Sequence, residues 1–295
     1  MKSNRVTPLP STDCGLLSVR RARERSRSVS VAHATPIARN AHCLPFIRRG
    51  ALGALFIALS VSASAGEVTV AVASNFSAAF NKLAPDFERS SGHKLTASFG
   101  ATGKLYAQIR NGAPFDVLLA ADDERPRRLE TEGVTVAGTR FTYAIGRLAL
   151  WSPDPKMVDA NGAVLKSDRF AHLAVANAKT APYGAAAEQT LRRLGVWERL
   201  ASRLVRGENV TQTFQFVSTG NAALGFVALA QVRALAPARQ GSYWIVPAKL
   251  YKPLRQDAVL LKRGADNAAA RALLDYLRAP DVKSMIQDLG YLTLP

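Results

Sequence analysis

Residues Glu67 to Phe87 read EVTVAVASNFSAAFNKLAPDF, and the hydrophobic period changes inside them. Up to Ala73 apolar residues fall at every second position, the spacing of a β-strand. From Ser77 onward Phe80, Leu83, Ala84 and Phe87 share one face of a helix. A strand that passes directly into a helix is the first half of a βα unit. Ser74 and Asn75 sit at the turn between them. A Ser or Asn there can cap the helix, or it can aim a donor at something bound.

The unit continues in the same style. Gly92 stops the helix, KLTASF (Lys94 to Phe99) reads as a second strand, and GATG (Gly100 to Gly103) as a turn. Lys104 to Asn111 reads as a short helix, and FDVLLAA (Phe115 to Ala121) as a strand buried on both faces. This βαβαβ order predicts a parallel sheet with right-handed crossovers. A second set follows, with strands at Arg147 to Pro153, His172 to Asn177, Ala222 to Leu229, Tyr243 to Val246 and Asp257 to Lys262. Its helices run from Ala185 to Leu194 and from about Val210, and the chain closes with helices at Asn267 to Arg278 and Pro280 to Leu289. Two α/β units therefore share one chain, with no Gly/Ser linker between them.

The chain has 295 residues, 48% hydrophobic, enough for a sizeable core, and a formal net charge of +17. Such a charge raises nucleic acid or an anionic membrane as a partner, so its distribution matters. Residues 1–65 hold ten Lys/Arg against Asp13 and Glu24, a net +8. After Arg48-Arg49 comes the uncharged stretch GALGALFIALSVSASAG, ending in Ala63-Ser64-Ala65. This is the pattern of a secretory signal with an A-x-A cleavage site, which predicts removal of residues 1–65 and a freely soluble product outside the cytoplasmic membrane. Both cysteines, Cys14 and Cys43, lie in the removed part. The remaining +9 is scattered, as in RPRR (125–128) and LRRL (191–194), without aromatic interleaving, so nucleic acid is not expected as a partner.

Donors fall at the turns where a strand feeds a helix. The first N–H groups of a helix lack intrahelical acceptors, so the edge where such turns gather is an anion site by default. Ser74 and Asn75 follow the first strand, and Thr102, between Gly100 and Gly103, follows the second. In the second unit Tyr183 follows Pro182 in TAPYGAAAE, and Val210 opens a helix after Asn209 in GENVTQTF. Pro at an early helix position is pre-organised for the turn and leaves the following N–H groups free. Each turn alone also reads as an ordinary cap or packing site; the set of four carries the argument.

Together VTVAVASNFSAAF, ASFGATGKLYAQIRNGAPFDVLLAAD, APYG, LGVWERL, GENV, ALGFVAL and LLDYLRAPDVKSMIQDLGY resemble the periplasmic molybdate-binding proteins of ABC-type uptake systems, over essentially Glu67 to Tyr291. The resemblance implies a two-lobed periplasmic binding protein of type II, each lobe a mostly parallel sheet flanked by helices, with the ligand in the cleft between. Lobe one would comprise residues 66–143 plus 257–295 and lobe two 144–256, with crossovers near Tyr143 to Gly146 and Leu254 to Asp257. It implies Ser74, Thr102, Tyr183 and Val210 as oxyanion donors. Some members add a Tyr hydroxyl where this chain has Ala228; others use an Asn after the first Ser/Thr, which Asn75 matches. It implies an ABC permease as partner, a monomer, no cofactor, and no metal ligand beyond the oxyanion itself.

The site would hold a tetrahedral dianion by donors alone. Ser74 and Thr102 offer hydroxyls, and Asn75, Tyr183 and Val210 offer N–H groups, at helix ends carrying partial positive charge. Molybdate, tungstate and sulfate are fully deprotonated, whereas hydrogen phosphate brings a proton that finds no acceptor. Sulfate or another small oxyanion is the competing ligand within this class. A secreted hydrolase using Ser74 or Ser77 would need a base, and beyond residue 65 only His93 and His172 are available, both read at the strand ends away from the donor turns. Two separated histidines without cysteine fit no familiar metal-ligand spacing.

Overall fold

A computed structural model describes residues 65–294. The leader and both cysteines lie outside the described residues. In chain order the elements are β1 (Glu67–Ala73), α1 (Ser77–Ser91), β2 (Lys94–Gly100), α2 (Thr102–Arg110), β3 (Val117–Leu119), α3 (Glu124–Thr131), β4 (Phe141–Gly146) and β5 (Leu148–Ser152). Then follow β6 (Leu173–Ala176), α4 (Pro182–Arg193), α5 (Trp197–Leu200), β7 (Leu204–Gly207), α6 (Val210–Ser218), β8 (Leu224–Ala228) and α7 (Leu229–Arg233). The chain ends with β9 (Ser242–Ile245), β10 (Leu254–Leu260), α8 (Ala268–Arg278) and α9 (Pro280–Asp288).

The strands form two five-stranded sheets, ordered β2-β1-β3-β10-β4 and β7-β6-β8-β5-β9. In the first, β10 pairs antiparallel with both neighbours while the other strands share one direction. In the second, β5 is the lone opposed strand. Both sheets are thus mostly parallel, and each is flanked by helices, the two-lobed arrangement. The chain leaves the first sheet at Gly146 and enters the second at Leu148; it returns through Pro253 into β10. Leu254 pairs with Gly146, so the two crossings lie side by side. The crossover residues read from sequence, Tyr143 to Gly146 and Leu254 to Asp257, are in the structure strand residues of β4 and β10 in the first sheet.

Burial follows from the alternation. Val68, Val70 and Val72 on one face of β1 join Phe80, Leu83 and Phe87 of α1 and Leu273, Leu274 and Leu277 of α8 in one core. Ala71 faces the other way, onto Leu105 and Ile109 of α2. Gly92, with φ +72°, ends α1 in the left-handed conformation that glycine adopts at little cost. In the second lobe Gly184 lets α4 lie on β6: a Cβ there would stand 2.3 Å from the carbonyl oxygen of Ala176. Gly184→Ala is expected to lower stability by about 1–3 kcal/mol through overpacking against backbone. A fall in the urea midpoint at unchanged slope would check this.

Candidate functional site

β1 ends at Ala73 beside Gly100 of β2, and β6 ends at Ala176 beside Gly207 of β7. Beyond each of these four strand ends a helix opens. The openings are a 3-10 turn at Ser74–Phe76 running into α1, then α2 at Thr102, α4 at Pro182 and α6 at Val210. All five candidate residues, Ser74, Asn75, Thr102, Tyr183 and Val210, line one small cavity, together with Ala73, Gly100, Ala101, Ala121, Ala181 and Pro182. Each of the five is buried, Ser74 the most accessible at 6%. No charged side chain is among those lining the cavity.

The Ser and Asn of the opening stretch do not cap the helix. Neither the 3-10 turn nor α1 has a side-chain cap; Ser77 Oγ instead donates to the Ser74 carbonyl at 2.9 Å. Among the described residues Ser74 Oγ has no hydrogen-bond partner, so its hydroxyl is free for a ligand. Thr102 Oγ1 accepts from the Ala121 N–H at 3.0 Å, which leaves its proton to donate. At α6, Asn209 Oδ1 takes the N–H groups of Thr211 and Gln212, both at 3.0 Å. At α4, the Ala181 carbonyl takes those of Gly184 and Ala185. Pro182 carries no N–H. The N–H groups of Val210 and Tyr183, the first each helix can offer, are left without an acceptor in their own helix.

The Asn75 side chain is engaged elsewhere. Its Nδ2 donates to Gln256 Oε1 at 3.0 Å and to Tyr291 Oη at 3.4 Å, while Tyr291 Oη donates to the Asn75 carbonyl at 2.7 Å. Both amide protons are committed away from the cavity, because buried polar groups take the partners at hand; only the backbone N–H stays available. Phe76 is held by edge contacts to Tyr143 and Tyr291, with centroids at 4.9 and 5.4 Å. Tyr183 also has two ends. The residue lines the cavity, while its hydroxyl accepts from Gln256 Nε2 at 3.3 Å. Burial drives the phenols of Tyr143 and Tyr183 well above the ordinary tyrosine range, so neither becomes an anion beside the cavity.

Direct contacts join the lobes around the cavity. Gly103 N–H donates to the Thr180 carbonyl at 2.9 Å, and Thr211 Oγ1 to the Ser74 carbonyl at 2.9 Å. A Cβ on Gly103 would stand 2.9 Å from the Thr180 oxygen, so the approach requires glycine. Lys104 pairs with Glu208 at 2.8 Å, but both side chains are exposed and the pair contributes little. His93 takes the Gly66 N–H on its Nδ1 at 3.1 Å, at the far end of β1 from Ser74; His172 precedes β6, at the end away from Tyr183. The sequence reading missed Gln256, Tyr143 and Tyr291. The available signal was a lone Gln beside an apolar strand run, QDAVLL.

The family model for bacterial extracellular solute-binding proteins matches residues 68–292. The molybdate-binding protein ModA of Azotobacter vinelandii is 56% identical over 79% of this chain and 92% of its own length. That of Rhodobacter capsulatus is 48% identical over 84% of this chain and 97% of its own. A solved periplasmic molybdate-binding protein of Azotobacter vinelandii superposes with a TM-score of 0.73 at 40% identity, covering 77% of this chain and 99% of that one. The fold, the cavity at the four helix openings and these likenesses agree: the chain belongs to the bacterial extracellular solute-binding protein family.

Proposed function

We propose that the protein binds molybdate, and tungstate with it, and delivers it to an ABC permease. The observation that carries this reading is the meeting of Ser74, Asn75, Thr102, Tyr183 and Val210, from four separate turns, on one cavity with no charged wall. The names of its relatives support the choice of anion. Ser74 and Thr102 donate their hydroxyl protons to the oxyanion, and the N–H groups of Asn75, Tyr183 and Val210 complete the set. Each charge-assisted bond contributes roughly 1.5–3 kcal/mol, and the helix N-termini supply the opposing partial charge. Among the described residues no cavity-lining side chain is a base that could activate the Ser74 hydroxyl, which fits a carrier and not a catalyst.

In this reading residues 66–146 with 254–294 form one lobe and 147–253 the other, and they close on the anion about the paired crossings at Gly146 and Leu254. The protein works outside the cytoplasmic membrane, as a monomer. Among the described residues no helix is long and apolar enough to cross a membrane.

Calorimetric titration with molybdate, tungstate and sulfate tests the reading: molybdate and tungstate are expected to bind tightly and sulfate far more weakly. Sulfate binding as tight as molybdate would overturn it in favour of a general oxyanion carrier. Ser74→Ala is expected to weaken molybdate binding by about 1–3 kcal/mol with little change in stability, because this hydroxyl caps nothing. Thr102→Ala should lose similar affinity and also roughly 1–3 kcal/mol of stability, since the buried Ala121 N–H loses its acceptor. Equilibrium denaturation and titration of the same two variants separate the effects.

The donors do not titrate near neutrality, and the nearby phenols are held neutral by burial. Ionisation of either phenol would put a negative charge beside the dianion and weaken binding; their raised pKa values move that loss above the ordinary tyrosine range. Molybdate affinity is therefore expected to stay flat from about pH 7 to about pH 9. Titrations across that range check it.

A further inference from the structure

We propose that Gln256, which does not line the ligand cavity, is a positioning residue that couples the donor turns of the two lobes and slows release of the bound anion. The proposal rests on the oxyanion-carrier reading above. Gln256 is fully buried on β10, two residues past the crossing at Leu254. Its Oε1 accepts from Asn75 Nδ2 at 3.0 Å and faces Tyr143 Oη at 3.2 Å; its Nε2 donates to Tyr183 Oη at 3.3 Å. Asn75 belongs to the first lobe and Tyr183 to the second, and both residues line the cavity. One side-chain amide therefore grips both walls from behind.

The local backbone is built to present it. The ladder between β10 and β4 shifts register at Gln256/Asp257: Gln256 pairs with Ala144 and Asp257 with Thr142, so Tyr143 has no partner. Such a bulge re-aims side chains beside a site, and here it brings Tyr143 Oη onto the Gln256 amide. Asp257, 1% exposed, anchors the shifted segment through Arg140 Nη1 and Thr142 Oγ1, both at 2.7 Å. Across the crossing, Gly146 makes room: a Cβ there would lie 2.3 Å from Tyr183 Oη and 2.5 Å from Gln256 Nε2. The contact between Gln256 and Tyr183 joins the lobes when they are closed. Its loss favours opening and speeds the off-rate while leaving encounter with the open cleft alone.

Three variants probe one contact. Tyr183→Phe removes only the phenolic oxygen and keeps the backbone N–H at the cavity; Gly146→Ala keeps every polar group but wedges the contact apart; Gln256→Leu removes the amide. Dissociation of labelled molybdate chased with unlabelled molybdate, association rates, and melting of the ligand-free protein are measured for each. Tyr183→Phe and Gly146→Ala are expected to raise the dissociation rate roughly tenfold with association within about twofold. Tyr183→Phe combined with Gln256→Leu should release no faster than Gln256→Leu alone, since both delete the same bond. If Gln256→Leu does not fold, the other two decide the matter. A parental off-rate in Tyr183→Phe and Gly146→Ala, or a lowered melting temperature at unchanged off-rate, overturns the proposal and assigns Gln256 a purely structural role. Failure of the parent protein to bind molybdate would instead overturn the carrier reading.

Discussion

A dianion taken out of water must have its oxygens surrounded by donors, and in the proposed reading those donors are helix openings and hydroxyls with no cation among them. The requirement shapes both sheets. A parallel β1-β2 pair and a parallel β6-β7 pair each end beside one another, so each lobe brings two helix N-termini to one edge. Small residues fill the wall between them: Ala73, Gly100, Ala101, Ala121 and Ala181. Larger side chains would cover the N–H groups. A lysine or arginine in the wall would bind any anion, protonated or not, whereas a wall of donors alone rejects an anion that arrives with a proton of its own.

Keeping those donors unoccupied takes a second set of interactions. Asn209 satisfies two N–H groups at α6 but spares that of Val210. The Ala121 N–H sits on Thr102 Oγ1 as an acceptor, which turns the hydroxyl's remaining function into donation. Asn75 is withdrawn into the buried amide and phenol cluster, and Phe76 is wedged between two tyrosine rings, so the first turn cannot rotate to satisfy itself.

The strand-to-helix switch at Ser74 and the four openings were legible in the sequence because local period and turn chemistry encode them. Other elements were not. β7 has only four residues, with Arg206 exposed at the sheet edge, and α3 buries only Pro126 and Leu129 of its polar sequence ERPRRLET. β10 begins at Leu254, three residues before the strand start read at Asp257, because Gln256 and Asp257 are buried through partners far along the chain, at Tyr143, Tyr183, Arg140 and Thr142. Hydrophobic pattern reads polarity and cannot see such distant satisfaction. For the same reason Asn75 was recognised as part of the site while its amide's real partners were not.

In the proposed reading, selection by size would follow from how the lobes meet. In the closed arrangement their separation is fixed by contacts that involve backbone, Gly103 N–H to the Thr180 carbonyl and Thr211 Oγ1 to the Ser74 carbonyl, each 2.9 Å. The first joins two backbones directly, with no flexible side chain to lengthen or shorten, and a Cβ at Gly103 would keep them apart. The second ends on the carbonyl of a cavity residue itself. The gap between opposed donors is then limited by one main-chain stop and one hydroxyl-to-carbonyl stop flanking the cavity. An anion smaller than that gap cannot draw the walls further in to reach all its oxygens, because the stops are already in contact. A larger one breaks the stops before the donors can surround it. Hydrogen bonds weaken steeply outside a narrow range of donor–acceptor distances, so a fixed gap converts a small difference in anion radius into a difference in affinity.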